Sequence, residues 1–285
     1  MRLFLALCLV CMLAYAALCL FYYVAQERFI FIRFRLSDRY RFKFAEPCHE
    51  RFLDRPDGAR LHAIHFLVDG AKGTVLYFHG NTGTLRRWGR QAPRFLRKGY
   101  NVLMPDPRGY GKSRGALSEA ALHADAQAWY EYLSATEPQH RIVVYGRSLG
   151  SGLATPVAAR NRPRMLLLET PFANLYDVAN SYLRILPYRL LLRYTFRNDR
   201  AIQRVQCPTY LFHGRRDVVV PYSSALKLYA HVPSAVPREL FTFNRGQHSD
   251  LARFVRFDRI LERLLNGGST VVSSGSLPSH TIPTT

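Results

Sequence analysis

Three residues of this chain have the types and the setting for acyl-transfer chemistry: Ser148, Asp217 and His248. A serine hydroxyl is a weak nucleophile at neutral pH and needs a base to take its proton. That base in turn needs an acid to fix its tautomer and stabilise its cation. Ser148 lies in VVYGRSLGSG, between Gly146 and Gly150, where the β-branched run RIVVY gives way to the Ala- and Leu-rich LATPVAAR. A strand joined to a helix by so short a turn strains the serine, and the glycines let backbone pass close by. Gly152 costs its helix about 1 kcal/mol relative to Ala, so tight packing against a neighbouring strand is expected there. Asp217 follows the run YLFHG and His248 follows FTF in FTFNRGQHSD; Asp250, two residues further on, is the alternative acid. Ser148 alone also fits a plain Gly-Ser turn at the start of an ordinary helix. The three residues together are far more specific than any one of them.

Such residues need strand ends to hold them. RLHAIHF, GTVLYFH, NVLMPD, RIVVYG, MLLLET, PTYLFHG and RELFTF read as strands, and LRRWGRQAPRFLRKG and ALSEAALHADAQAWYEYLSA as helices between them. Alternation of this kind implies right-handed crossovers and a parallel sheet. The expected organisation is an apolar anchor over residues 1–26, a basic juxtamembrane segment over 27–44, a catalytic domain over 45–266, and a flexible tail over 267–285. The tail is assigned on composition, because GGSTVVSSGSLPSHTIPTT has little to bury.

With these motifs in place the chain resembles the α/β-hydrolase family over nearly its whole body. G-R-S-L-G is similar to the family's nucleophile elbow, and the order Ser, Asp, His is the family's order. YFHGNTG resembles its oxyanion loop, DPRGYGKS its D-x-R-G-x-G-x-S turn, and GQHSD its histidine loop. The resemblance extends to the small membrane-anchored branch with protein depalmitoylases and serine-aminopeptidase-like proteins, through LPYRLLLRYTFRNDRAIQRVQCP, which is similar to that branch's short cap. It implies an α/β-hydrolase fold, a mostly parallel doubly wound sheet with a helical cap at about 171–205. It also implies that the backbone N–H groups of Asn81 and Leu149 form the oxyanion hole, and that no cofactor is needed. The chain departs from the depalmitoylases at its N-terminus, where they carry a short cysteine-rich segment.

Leu3 to Val24 holds no charge and is long enough for a bilayer, which takes about 20 residues. A cleaved signal peptide with Ala14-Tyr15-Ala16 as its site is the rival reading, but only Arg2 precedes the apolar run, and the run continues past that site. Arg28, Arg33, Arg35, Arg39, Arg41 and Lys43 follow, which by the positive-inside rule puts the body on the cytoplasmic side. The formal charge of +20 could serve nucleic acid, yet the arginines are scattered and no nucleic-acid-binding motif occurs. A bilayer with anionic lipids is the expected partner instead.

Of the five cysteines, Cys8, Cys11 and Cys19 fall in the apolar stretch, leaving Cys48 and Cys207 and excluding a disulfide framework. Neither C-x-x-C with a second pair nor H-E-x-x-H occurs, so no metal site of recognised spacing is expected. GYGKS resembles the end of a phosphate loop, but position 106, where that loop needs glycine, is Asp106. His79 and His213 are expected to brace loops, Arg108 to bond loop carbonyls, and Arg147 to be a solvated surface arginine, with contact to an anionic substrate group as the alternative. The expected function is a membrane-anchored serine hydrolase that cleaves an ester or thioester of an acylated small molecule, lipid or protein. A peptidase or amidase on the same triad, and a membrane scaffold without turnover, are the alternatives.

Overall fold

A run such as RIVVY has no polar side to turn toward water, so it belongs in a sheet covered on both faces. The computed structural model, which describes residues 1–267, contains that sheet. Its eight strands are β1 Cys48–Asp54, β2 Arg60–Phe66, β3 Thr74–Phe78, β4 Asn101–Asp106, β5 Ile142–Arg147, β6 Met165–Glu169, β7 Thr209–Gly214 and β8 Arg238–Phe243. They lie in the order β8-β7-β6-β5-β3-β4-β2-β1. Strands β3 to β8 are parallel, while β2 runs antiparallel to both β4 and β1. The sheet is thus mostly parallel, as the alternation of runs implies. β1 carries no apolar run to announce it: CHERFLD is a charged strand at the sheet edge, with Cys48, Glu50, Arg51 and Leu53 half-buried and the rest exposed.

Period-two alternation sends side chains to opposite faces. On one face Leu76, Leu103, Val144, Leu166 and Leu211 join a cluster with Trp129 and Leu133 of helix Glu119–Ser134 and Val157 of helix Ser151–Arg160. On the other, Tyr77 and Tyr145 stack at 4.7 Å with the ring of Phe95 edge-on to both. The stretch LRRWGRQAPRFLRKG, expected as one helix, is broken into Leu85–Trp88, a 3₁₀ turn at Gly89–Gln91, and Pro93–Leu96. Gly89 yields to the Phe44 ring, 2.4 Å from where a Cβ would stand, and Pro93 starts the next turn.

Among the described residues one helix, Arg2–Ile30, is long and apolar enough to cross a membrane. The basic stretch after it does not hang free. Phe31 is buried against Tyr194, Ile32–Arg33 pairs with Thr82–Gly83, and Phe34 and Leu36 exchange backbone bonds with Gly111. The segment read as juxtamembrane is therefore packed on the body from Phe31 onward. Between β6 and β7 the chain forms helices Leu175–Tyr182 and Tyr188–Leu191, with Pro187 just before the second, and a turn at Asn198–Ala201. Glu119 pins the end of this cap by accepting from the backbone N–H groups of Thr195 and Phe196.

These features belong to a unit spanning Met1–Leu251, and a second unit begins at Ala252. The second holds helix Val255–Leu265, whose Phe257, Ile260, Leu261 and Leu264 form one apolar stripe. Residues 268–285, where the tail was expected, lie outside the described residues.

Candidate active site

Ser148 follows β5 directly, at φ 50°, a left-handed conformation that costs a non-glycine residue of order 1–3 kcal/mol. Close backbone approach holds it there. A Cβ on Gly150 would stand 2.1 Å from the Phe78 carbonyl oxygen, and one on Gly146 would stand 2.6 Å from the Ala154 Cβ. Gly152 departs from expectation: its missing side chain makes room for the Phe196 ring of the cap, 2.6 Å away, and not for a strand.

The three residues picked out by chemistry converge at the C-terminal ends of their strands. His248 Nε2 lies 3.0 Å from Ser148 Oγ, and His248 Nδ1 lies 2.8 Å from Asp217 Oδ2. The other carboxylate oxygen of Asp217 accepts the backbone N–H groups of Val219 and Val220, at 2.9 and 2.8 Å. The carboxylate is thus fixed on one side by backbone and offers its free edge to histidine. Asp250 is engaged elsewhere, accepting from the Gln247 N–H at 2.7 Å.

His213 packs beneath the acid, its Nε2 donating to the Val220 carbonyl at 3.0 Å. A carbonyl only accepts, so Nε2 carries the hydrogen and the buried Nδ1 is bare. Burial pulls this imidazole below its ordinary pKa, which suits a neutral brace.

His79 has a comparable post on the opposite loop. Its Nδ1 donates to the Gly80 carbonyl at 2.7 Å, and its Nε2 sits 3.0 Å from Asp106. Gly80 C=O and Asn81 N–H belong to one planar trans peptide, so holding the first aims the second. The Asn81 carbonyl is itself held by Ile32 N–H and by the Tyr110 hydroxyl, at 2.9 and 2.7 Å. Leu149 lies in the first turn after the serine, where N–H groups lack intrahelical acceptors.

Two arginines differ from expectation. Arg108 mainly binds carboxylates, not carbonyls: Asp125 takes its Nε and Nη2, and Asp57 takes Nη1. Arg147 is not a solvated surface residue. It is buried, 3.4 Å from Glu169, with its guanidinium over the Trp88 ring at 5.0 Å. Burial works against its charge, but Glu169 and the hydroxyls of Tyr77 and Tyr145 outweigh it and raise the pKa. GYGKS forms no open phosphate cradle, since Lys112 is bonded to Glu50 and a Cβ on Gly111 would meet the Asp106 carboxylate.

A cavity of about 470 Å³ opens on Ser148, Asn81 and Leu149. Its walls are apolar and come from the cap, among them Leu175, Val178 and Leu192, and from Val219 and Val220 of the acid loop. Tyr22, Gln26, Phe29 and Ile30 of the N-terminal helix complete it. Sequence reasoning missed these four. The available signal was Gln26, a lone amide just past a charge-free apolar run.

Comparison with known proteins agrees with this architecture. The family model described as the alpha/beta hydrolase fold matches residues 73–168. A Mycobacterium tuberculosis protein, MT2364, is 32% identical over 203 residues, covering 70% of this chain and 71% of that one. The chain belongs to the α/β-hydrolase family. The lysophosphatidylserine lipase ABHD12 of Macaca fascicularis is 31% identical over 207 residues, 62% of this chain. This α/β-hydrolase chain spans about half the length of that lipase. Among solved structures, the Pyrococcus furiosus esterase Pf2001 superposes with a TM-score of 0.67 at 20% identity, covering 83% of this chain and 97% of its own. As in other open α/β sheets, the cavity of this α/β-hydrolase lies outside the carboxyl ends of the strands.

Proposed function

We propose that the protein is a membrane-anchored serine hydrolase that cleaves a long-chain acyl ester or thioester through an acyl-enzyme. The observation that carries this reading is the unbroken chain of contacts from Asp217 through His248 to Ser148 at the floor of an apolar cavity. His248 Nε2 takes the proton as Ser148 Oγ attacks the acyl carbonyl. Asp217 holds Nδ1–H and stabilises the cation. The oxyanion is met by the N–H groups of Asn81 and Leu149, each worth about 3 kcal/mol in the transition state. The tetrahedral species collapses when His248 gives its proton to the leaving oxygen or sulfur. Water, deprotonated by the same nitrogen, then releases the acid and restores Ser148.

The likeness to lysophosphatidylserine lipases supports a lipid ester as substrate. The basic residues after the apolar helix support a cytoplasmic body, which protease protection of the intact chain in sealed vesicles would check. A fluorophosphonate probe should label the wild type and spare Ser148→Ala, and long-chain ester turnover should vanish with the label. Labelling that survives in Ser148→Ala would move the nucleophile elsewhere, and an unlabelled, inactive wild type would leave the fold without this chemistry.

A further inference from the structure

The N-terminal helix changes character along its length. Leu3, Phe4, Leu7, Val10 and Leu13 are all exposed, as side chains meant for lipid would be. From Tyr22 onward one face meets the cavity: Gln26 is buried, Tyr22 and Ile30 are half-buried, and Phe29 lines the cavity while remaining 54% exposed. Tyr22, Gln26, Phe29 and Ile30 stand at i, i+4, i+7 and i+8, a single helical face, and all four line the cavity above Ser148. They span about 12 Å of helix at 1.5 Å per residue.

The rotation that presents this face is fixed by polar contacts. Gln26 is only 3% exposed. Its amide N–H₂ donates to the carbonyls of Tyr23 and Leu191, at 2.8 and 3.1 Å, and its carbonyl accepts the Arg193 N–H at 2.8 Å. One turn position on, Glu27 accepts the Tyr194 hydroxyl at 2.8 Å and an Arg193 N–H at 3.3 Å. Nearer the N-terminus, Tyr15 donates to the Ile185 carbonyl at 2.8 Å. A buried amide is costly unless it is bonded, so these contacts select one docking of helix on cap. Ile185 and Leu190 stay exposed on the cap.

We propose that the last turns of the N-terminal helix are a specificity element: they form one wall of the acyl site, so that a long acyl chain drawn from the membrane surface lies between helix and cap. The inference rests on the acyl-hydrolase reading above. A mere tether would need no face turned to the cavity and no amide bonded into the cap.

The test uses the full chain in detergent micelles, where tethering to a bilayer plays no part, and p-nitrophenyl esters from butyrate to palmitate. Ile30→Trp narrows the wall and Phe29→Ala opens it. Val24→Trp burdens the same helix at an exposed position away from the cavity. The ratio of kcat/KM for palmitate to that for butyrate is expected to fall about tenfold in Ile30→Trp and several-fold in Phe29→Ala, the scale on which pockets discriminate methylenes. Val24→Trp should keep the wild-type ratio. If Ile30→Trp loses fluorophosphonate labelling, its site is disrupted and Phe29→Ala decides. A wild-type ratio in the wall variants, or an equal fall in Val24→Trp, overturns the proposal while the active wild type preserves the hydrolase reading. A wild type without any ester turnover removes both.

Discussion

Arg147 and Glu169 are register partners at the ends of β5 and β6, with Nε 3.4 Å from Oε1 and both side chains buried. The Tyr145 hydroxyl donates to the other Glu169 oxygen at 2.5 Å, and Arg147 Nη2 reaches the His248 carbonyl at 3.4 Å. The pair thus ties the strand before the serine to the loop that carries the histidine. Removing one partner of a buried ion pair strands the other and costs about 3–5 kcal/mol. Arg147→Met should therefore lower stability by that much, measured by chemical denaturation, and reduce kcat more than it raises KM. Adding Glu169→Gln should recover a large part of the lost stability, because no charge is left unpaired. A double variant as unstable as Arg147→Met would mean that the arginine acts through packing on Trp88 alone.

The cap depends on a second close contact. Phe196 sits at φ 37°, fully buried, with its ring against the bare Cα of Gly152. Helix propensity by itself would reward Gly152→Ala by about 1 kcal/mol. The ring atoms leave only 2.6 Å for the new methyl, and overpacking of this kind costs about 1–3 kcal/mol. Gly152→Ala is expected to lower the thermal midpoint, and trimming the ring in Gly152→Ala/Phe196→Leu should remove part of the added penalty. A raised midpoint in the single variant would show that the cap shifts freely and that Phe196 is not anchored there.

The sheet was legible because its inner strands are continuous apolar runs; Ser148 and Asp217 stood out because each follows such a run, and His248 because it follows the edge strand RELFTF. β1 was not legible: an edge strand needs no apolar signature, and CHERFLD has none. Nor could the fate of Arg147 be read, since burial depends on Glu169, a partner two elements along the chain. The same holds for the N-terminal helix. Its apolar run announces a membrane span whichever way it rotates, and only the contacts of Gln26 with Leu191 and Arg193 determine which face meets the cavity.

His65 on β2 links this fold to pH. Its Nε2 is buried without a hydrogen-bond partner among the described residues, and burial, helped by the charge of Arg51, pushes its pKa from 6.5 down to about 4. His62, His123 and His213 are lowered as well, each chiefly by burial. A folded-state pKa below the unfolded one means that the unfolded chain binds protons first on acidification. The stability of the neutral form is fully present above about pH 6.5 and is lost as pH falls toward about 4, where folded His65 itself takes a proton and its share of the loss ends. For His65 the loss amounts to about 3 kcal/mol. The denaturation midpoint of the detergent-solubilised chain should therefore drop steadily between pH 7 and pH 4.5. His65→Leu, which places an apolar side chain in the same pocket, should flatten that slope by about one proton's worth. Parallel slopes for wild type and His65→Leu would mean that water or a neighbour meets the protonated ring, and that the acid sensitivity lies in the other histidines.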